Sequence, residues 1–217
     1  MKSIACIYLV WRKGKGTSRK IVGIIKRNSK GITFNYLKVN LESARKDGFT
    51  SYVDFPDVNK VYTENVIDIF AQRLTKSDRP DYQKYLDFWG IEKENINNKY
   101  YLLARTQGLL ATDNFEFLAD YNPEKGLSFI SEISGLTHNT LKRGMLSKDD
   151  ELTWEPEPSN LYDKMAIKLY KGDSFIGYVK LIHNKIFSKQ GNGNIRVRVK
   201  SIEETTTIQR VFIVVNM

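Results

Sequence analysis

The segment that most constrains the fold lies late in the chain. It opens with an extended run, Leu152-Thr153-Trp154-Glu155-Pro156, passes an acidic, proline-containing corner, and turns at Tyr162-Asp163 within Asn160–Ile167. A second extended run follows, and then the strand Phe175-Ile176-Gly177-Tyr178-Val179. Short extended runs separated by turn signals read as strands. Upstream, Asn122-Pro123-Glu124-Lys125-Gly126 is the clearest punctuation in the chain. It places a boundary between a domain over residues 1–122 and one over 126–217.

The first domain reads as α+β. Ile4, Ile7 and Leu9, then Ile21, Val22, Ile24 and Ile25, are apolar runs flanking the glycine-containing turn Arg12–Arg19, so a hairpin is expected. Gly31–Tyr36 supplies a third strand, and a short helix starting at Lys38 ends near Gly48. Val66, Ile67, Phe70 and Leu74 make an amphipathic helix over 63–75, with Thr63 as its cap. A second helix opens at Asp78-Arg79-Pro80, carries Tyr82, Tyr85, Leu86 and Trp89 on one face, and closes at Gly90. A third runs from Asn97 to Gln107, and Phe115–Tyr121 is a strand. Late in the second domain, residues 181–189 form a short helix with Ile182, Ile186 and Phe187 inward and Lys185 and Lys189 outward.

Charge is unevenly placed. The net charge is +9. Residues 1–41 hold ten Lys or Arg and no acid, and residues 174–202 hold six and no acid. Two acid-free basic segments fit a polyanionic partner. The one cysteine, Cys6, sits within an apolar strand and reads as a buried, inert thiol. A single cysteine allows no internal disulfide, and a cytoplasmic setting is the default. No run of apolar residues is long enough for a membrane span. The N-terminus reads as a strand, since no small-residue cleavage site precedes the basic stretch.

No catalytic constellation emerges, and no cofactor or metal is expected. His138 and His183 are the only histidines, and there is no CxxC pair for zinc. Gly14–Ser18 lacks the spacing of a phosphate loop and precedes a strand, so a hairpin turn is expected. Gly191-Asn192-Gly193-Asn194 reads as a loop. The acids Asp149, Asp150 and Glu151, and Glu155 and Glu157, read as solvated turns.

The order of Leu152–Pro156, Tyr162-Asp163 and Ile176-Gly177-Tyr178 resembles a HIRAN domain, a small β-barrel related to the OB-fold that occurs in DNA repair and helicase-type proteins. The resemblance implies a DNA-binding barrel that captures a 3′ end. Tyr162 would pack on the terminal nucleotide and Asp163 would accept from its 3′-hydroxyl, with Tyr178 and Lys180 lining the same side. Where the family's first strand commonly carries an aromatic pair after glycine, this chain has Gly135-Leu136-Thr137-His138-Asn139-Thr140. Residues 4–90 resemble, on pattern, the N-terminal subdomain of HipA-type kinases, without the kinase lobe that would carry catalysis.

The expectation is therefore a non-enzymatic DNA-binding protein favouring single strands or ends. Its candidate contacts are Tyr162, Asp163, Lys164, Tyr178, Lys180, His138, Thr137, Lys185, Arg196 and Arg198. Bases stack on rings and phosphates meet Lys and Arg in such barrels. The alternative is a protein-interaction module, antitoxin-like or a phage–host regulator, with a partner on the N-terminal domain.

Overall fold

The structure is a computed structural model that describes residues 3–14, 16–190 and 194–217. The expected turn at Gly14–Ser18 and loop at Gly191–Asn194 fall partly outside the described residues, at Lys15 and at residues 191–193. Contacts divide the chain into Met1–Asp120 and Tyr121–Met217. The whole is mostly β with few helices, broadly consistent with an α+β chain.

The first unit is built on a four-stranded sheet in the order β3-β2-β1-β4. Its strands are β1 (Ile4–Trp11), β2 (Lys20–Asn28), β3 (Gly31–Tyr36) and β4 (Phe115–Tyr121). β1 and β2 form the expected antiparallel hairpin, with Ile7 opposite Ile25. β3 continues it, with Gly23 opposite Tyr36 and Ile25 opposite Phe34. Phe34 anchors an aromatic core, its ring centroid 5.1 Å from Phe55 and 5.2 Å from Phe70. Gly23 makes room for that ring: a Cβ there would lie 2.4 Å from Phe34 Cε2.

The helices are α1 (Lys38–Lys46), α2 (Val66–Ala71), α3 (Tyr82–Trp89) and α4 (Lys99–Thr106). α2 is shorter than the 63–75 pattern, and Thr63 does not cap it. Asn65 precedes it in the left-handed region, φ 52°, which a short polar side chain tolerates but which breaks the helical run. α3 ends on Gly90 in the left-handed conformation, as the sequence predicts. α4 is capped by Asn98, whose side chain accepts from the Tyr101 amide.

The second unit is a closed barrel, in the order β10-β5-β8-β7-β6-β9. Its strands are β5 (Ser128–Ser134), β6 (Glu151–Pro156), β7 (Ile167–Lys171), β8 (Ser174–Val179), β9 (Arg196–Glu204) and β10 (Ile208–Asn216). Alternation fills the interior: Val197 faces Val215, which faces Phe129, and all three are buried. Gly177 lets β5 and β8 meet, since a Cβ there would lie 2.6 Å from both Ile133 Cγ2 and the Ser134 carbonyl oxygen. Helix α5 (Lys185–Gln190) starts later than the sequence pattern indicates, but Ile182, Ile186 and Phe187 are buried as expected. Phe187 meets Trp154 edge to face, centroids 4.9 Å apart.

Candidate nucleic-acid interface

The second acid-free segment and the strands beside it produce one outward surface. Along β9, Val197 and Val199 point inward while Arg196 and Arg198 are exposed. Arg198 lies opposite Glu151 of β6. On β6, Thr153 lies opposite Tyr170 of β7, and Glu155 opposite Lys168. Lys168 lies opposite Tyr178 of β8, and Tyr170 opposite Phe175. Four strands thus present Arg196 and Arg198, then Thr153, then Lys168 and Tyr170, then Phe175 and Tyr178.

The three rings on this surface form a line. Tyr170 and Phe175 have centroids 5.8 Å apart, and Phe175 and Tyr178 5.2 Å, both edge to face. All three are half-buried, so each keeps a face or edge open to a ligand. A bulge in β7–β8 between Leu169 and Tyr170 keeps both Phe175 and Tyr178 on the outer side. The alternation Ile167-Lys168-Leu169-Tyr170, which buries Ile167 and Leu169, marks Tyr170 as outward-facing, and Phe175 joins it only through their cross-strand pairing; neither ring is among the contacts expected from the sequence.

Glu157 organises the upper edge of this surface. It accepts from Asn160 Nδ2 at 2.6 Å, pairs with Lys168 at 2.8 Å and accepts from the Tyr178 hydroxyl at 3.0 Å. These donors, Asn160 first, pull its carboxyl from 4.5 down to about 2. Asn160 Oδ1 in turn accepts from the Tyr162 and Asp163 amides, so one network fixes the Tyr162-Asp163 turn relative to Tyr178. Loop 135–139 docks on the same strand: Asn139 Nδ2 donates to the carbonyls of Phe175 and Ile176, and Gly135 sits against the Tyr178 ring. The loop places Thr137 and His138, both exposed, beside β8.

The expected contact residues therefore separate. Tyr162 is 91% exposed on its turn, next to Leu161 and to an exposed Lys164. Asp163 is engaged internally: Oδ1 accepts from the Met165 amide and Oδ2 from Asn184 Nδ2 at 2.6 Å. A terminal hydroxyl arriving there meets a carboxylate that already has two donors. Lys180, expected among the contacts, is not available for one. Its side chain is fully removed from solvent, with Nζ 2.9 Å from Glu132, so it cannot reach a phosphate. It directly follows Val179, which lies opposite Ile133, and this places it against Glu132. Lys185 is half-buried at the start of α5, away from the ring line in sequence and register.

The arginines of the first basic segment, with Lys20, are engaged within their own unit, while Lys13, Lys26, Lys30 and Lys38 are exposed. Glu116 of β4 is buried and takes Arg12 at 3.5 Å and Arg19 at 3.1 Å. Lys20 lies 3.7 Å from Asp47, and the Arg27 guanidinium sits 5.0 Å over the Tyr100 ring. Sequence distance hid these pairings: Glu116 is 97 residues from Arg19.

Among the described residues, no group of three His, Cys, Asp or Glu side chains is placed to hold a metal, and no helix is long and apolar enough to cross a membrane. Cys6 is buried. No protein-family model and no curated protein matches the chain. Among solved structures, the HIRAN domain of human HLTF is similar at 19% identity and a TM-score of 0.32, over 41% of this chain and 74% of that chain. The resemblance of residues 4–90 to a kinase subdomain has no support among these comparisons.

Proposed function

We propose that the second unit binds single-stranded DNA on the outer surface of β9, β6, β7 and β8, without catalysing a reaction on it. The observation that carries this is the line of half-open rings Tyr170, Phe175 and Tyr178 beside the exposed guanidiniums of Arg196 and Arg198. Half-open rings offer surfaces on which splayed, unstacked bases can stack, whereas a duplex keeps its bases hidden inside its own stack. Exposed Tyr162 and His138 extend the surface at its upper edge.

The charge on this face shapes the mode of binding. Glu151, Glu155 and Glu157 interleave with Arg196, Arg198 and Lys168, so phosphate attraction is modest. Glu155 accepts from the Tyr170 hydroxyl, which leaves its remaining lone pairs for the amino groups of bases. Affinity then comes chiefly from stacking. Fluorescence anisotropy with a labelled single strand, its duplex and an RNA of the same sequence tests this. The single strand should bind at least tenfold tighter than the duplex, and Tyr170→Ala with Phe175→Ala should abolish the difference. Equal binding of strand and duplex, or no binding at low salt, would sink the proposal.

A further inference from the structure

The barrel has a seam beside the ring line. β6 and β9 are paired at Glu151↔Arg198 and Leu152↔Val197, while β6 stays paired with β7 as far as Pro156. Beyond Leu152 the two strands part. The gap is a cleft of about 300 Å³ lined by Glu151, Thr153, Trp154, Ile195 and Arg196. Its floor is rigid. The Trp154 indole N–H donates to the Ile195 carbonyl at 3.0 Å, and the ring is braced from behind by Phe187. Trp154 is half-buried, so part of a flat aromatic surface faces the gap. Exposed Glu151 and exposed Arg196 both line it, one from each strand, a pure acceptor and a pure donor; Glu151 lies opposite Arg198, so Arg196 stands two residues further along β9 into the gap.

We propose that this cleft is a base pocket that selects guanine from the bound strand. The inference rests on the single-strand reading above and adds a sequence preference to it. A flat indole wall suits a base, and the charged pair chooses which one. Guanine carries adjacent N–H donors on its N1 and N2 side and acceptors at O6 and N7, so one carboxylate and one guanidinium can be satisfied together. Thymine and cytosine lack that combination. Thr153 lines the cleft and lies opposite Tyr170 of the ring line, so a strand crossing the rings continues into the cleft without leaving the protein.

The test compares a labelled oligothymidylate with the same oligomer carrying one central guanine, or one central cytosine, by anisotropy at fixed salt. The guanine strand should bind roughly tenfold tighter, the scale of one bidentate base contact. Glu151→Gln, an exposed change that leaves the barrel intact, should erase that preference, and because it removes an acid from the phosphate-facing surface, oligothymidylate should bind somewhat more tightly. Guanine-dependent quenching of tryptophan emission should disappear in Trp154→Phe, which keeps a ring against Phe187. Equal affinity for all three strands, or a preference that survives Glu151→Gln, overturns the guanine pocket and leaves the single-strand surface standing. Failure of every strand to bind overturns the single-strand reading, and the pocket with it.

Discussion

Lys180 and Glu132 form an ion pair across β8 and β5, Nζ to Oε2 at 2.9 Å, with the lysine side chain wholly out of water. Glu132 also takes Arg210 at 2.9 Å, so one carboxylate serves two cations. Glu132→Ala leaves a buried ammonium facing the gap and should cost roughly 3 kcal/mol. Lys180→Met removes the buried charge itself and keeps the volume, so it should cost clearly less, about 1 kcal/mol. Urea unfolding of both variants checks the order, and the reverse order would contradict this geometry. Neither change should alter DNA affinity once the protein is folded.

Gly177 is where β5 and β8 close the barrel. Gly177→Ala forces a methyl against backbone and an isoleucine, and should destabilise by roughly 3 kcal/mol. Gly172→Ala, at φ +55° with open space around it, should cost only about 1 kcal/mol. Gly177 is also at a positive φ, +155°, so thermal melts of the two variants side by side show how much crowding adds to backbone strain.

The upper edge of the surface should withstand acid. Glu157 titrates at about 2 in the folded chain, below its ordinary 4.5. Its stabilising contribution is therefore full above the ordinary value and disappears only as pH falls through about 2. Carboxyl carbon shifts followed by NMR should leave Glu157 ionised at pH 4, with the Asn160 and Tyr178 contacts kept. A midpoint near 4.5 would mean that those hydrogen bonds are not formed in solution.

Salt dependence should be shallow for so basic a chain. Lys180 is buried, Arg198 lies 3.6 Å from Asp149, and the arginines of the first basic segment are engaged within their own unit. With roughly three phosphates contacted, log affinity for a single strand should fall with log salt at a slope of about −2. Arg196→Ala should flatten the slope by about 0.7. A slope several times steeper would place the interface elsewhere.

Local order was readable where neighbours in sequence are neighbours in space. The β1–β2–β3 hairpins, the Gly90 stop and the inward residues of α5 all follow from spacing and turn residues. What depends on distant partners was not readable. Nothing near Lys180 in sequence announces Glu132, and nothing near Arg19 announces Glu116, so a run of bases looked like a free surface. Tyr178 is marked by its Ile-Gly-Tyr strand, but its companions Tyr170 and Phe175 share its surface only because β7 and β8 fall into one register, with a bulge.

The pairing of β6 with β9 also bears on self-association. A closed barrel offers no strand edge to other molecules. Rupture of so brief a seam would turn the ring into an open sheet whose new borders include the nine-residue strand β9. Such borders recruit a second copy by strand exchange or feed aggregation. A DNA strand lying across the seam would act as a clasp, making the ligand a protector against self-association as well as a cargo.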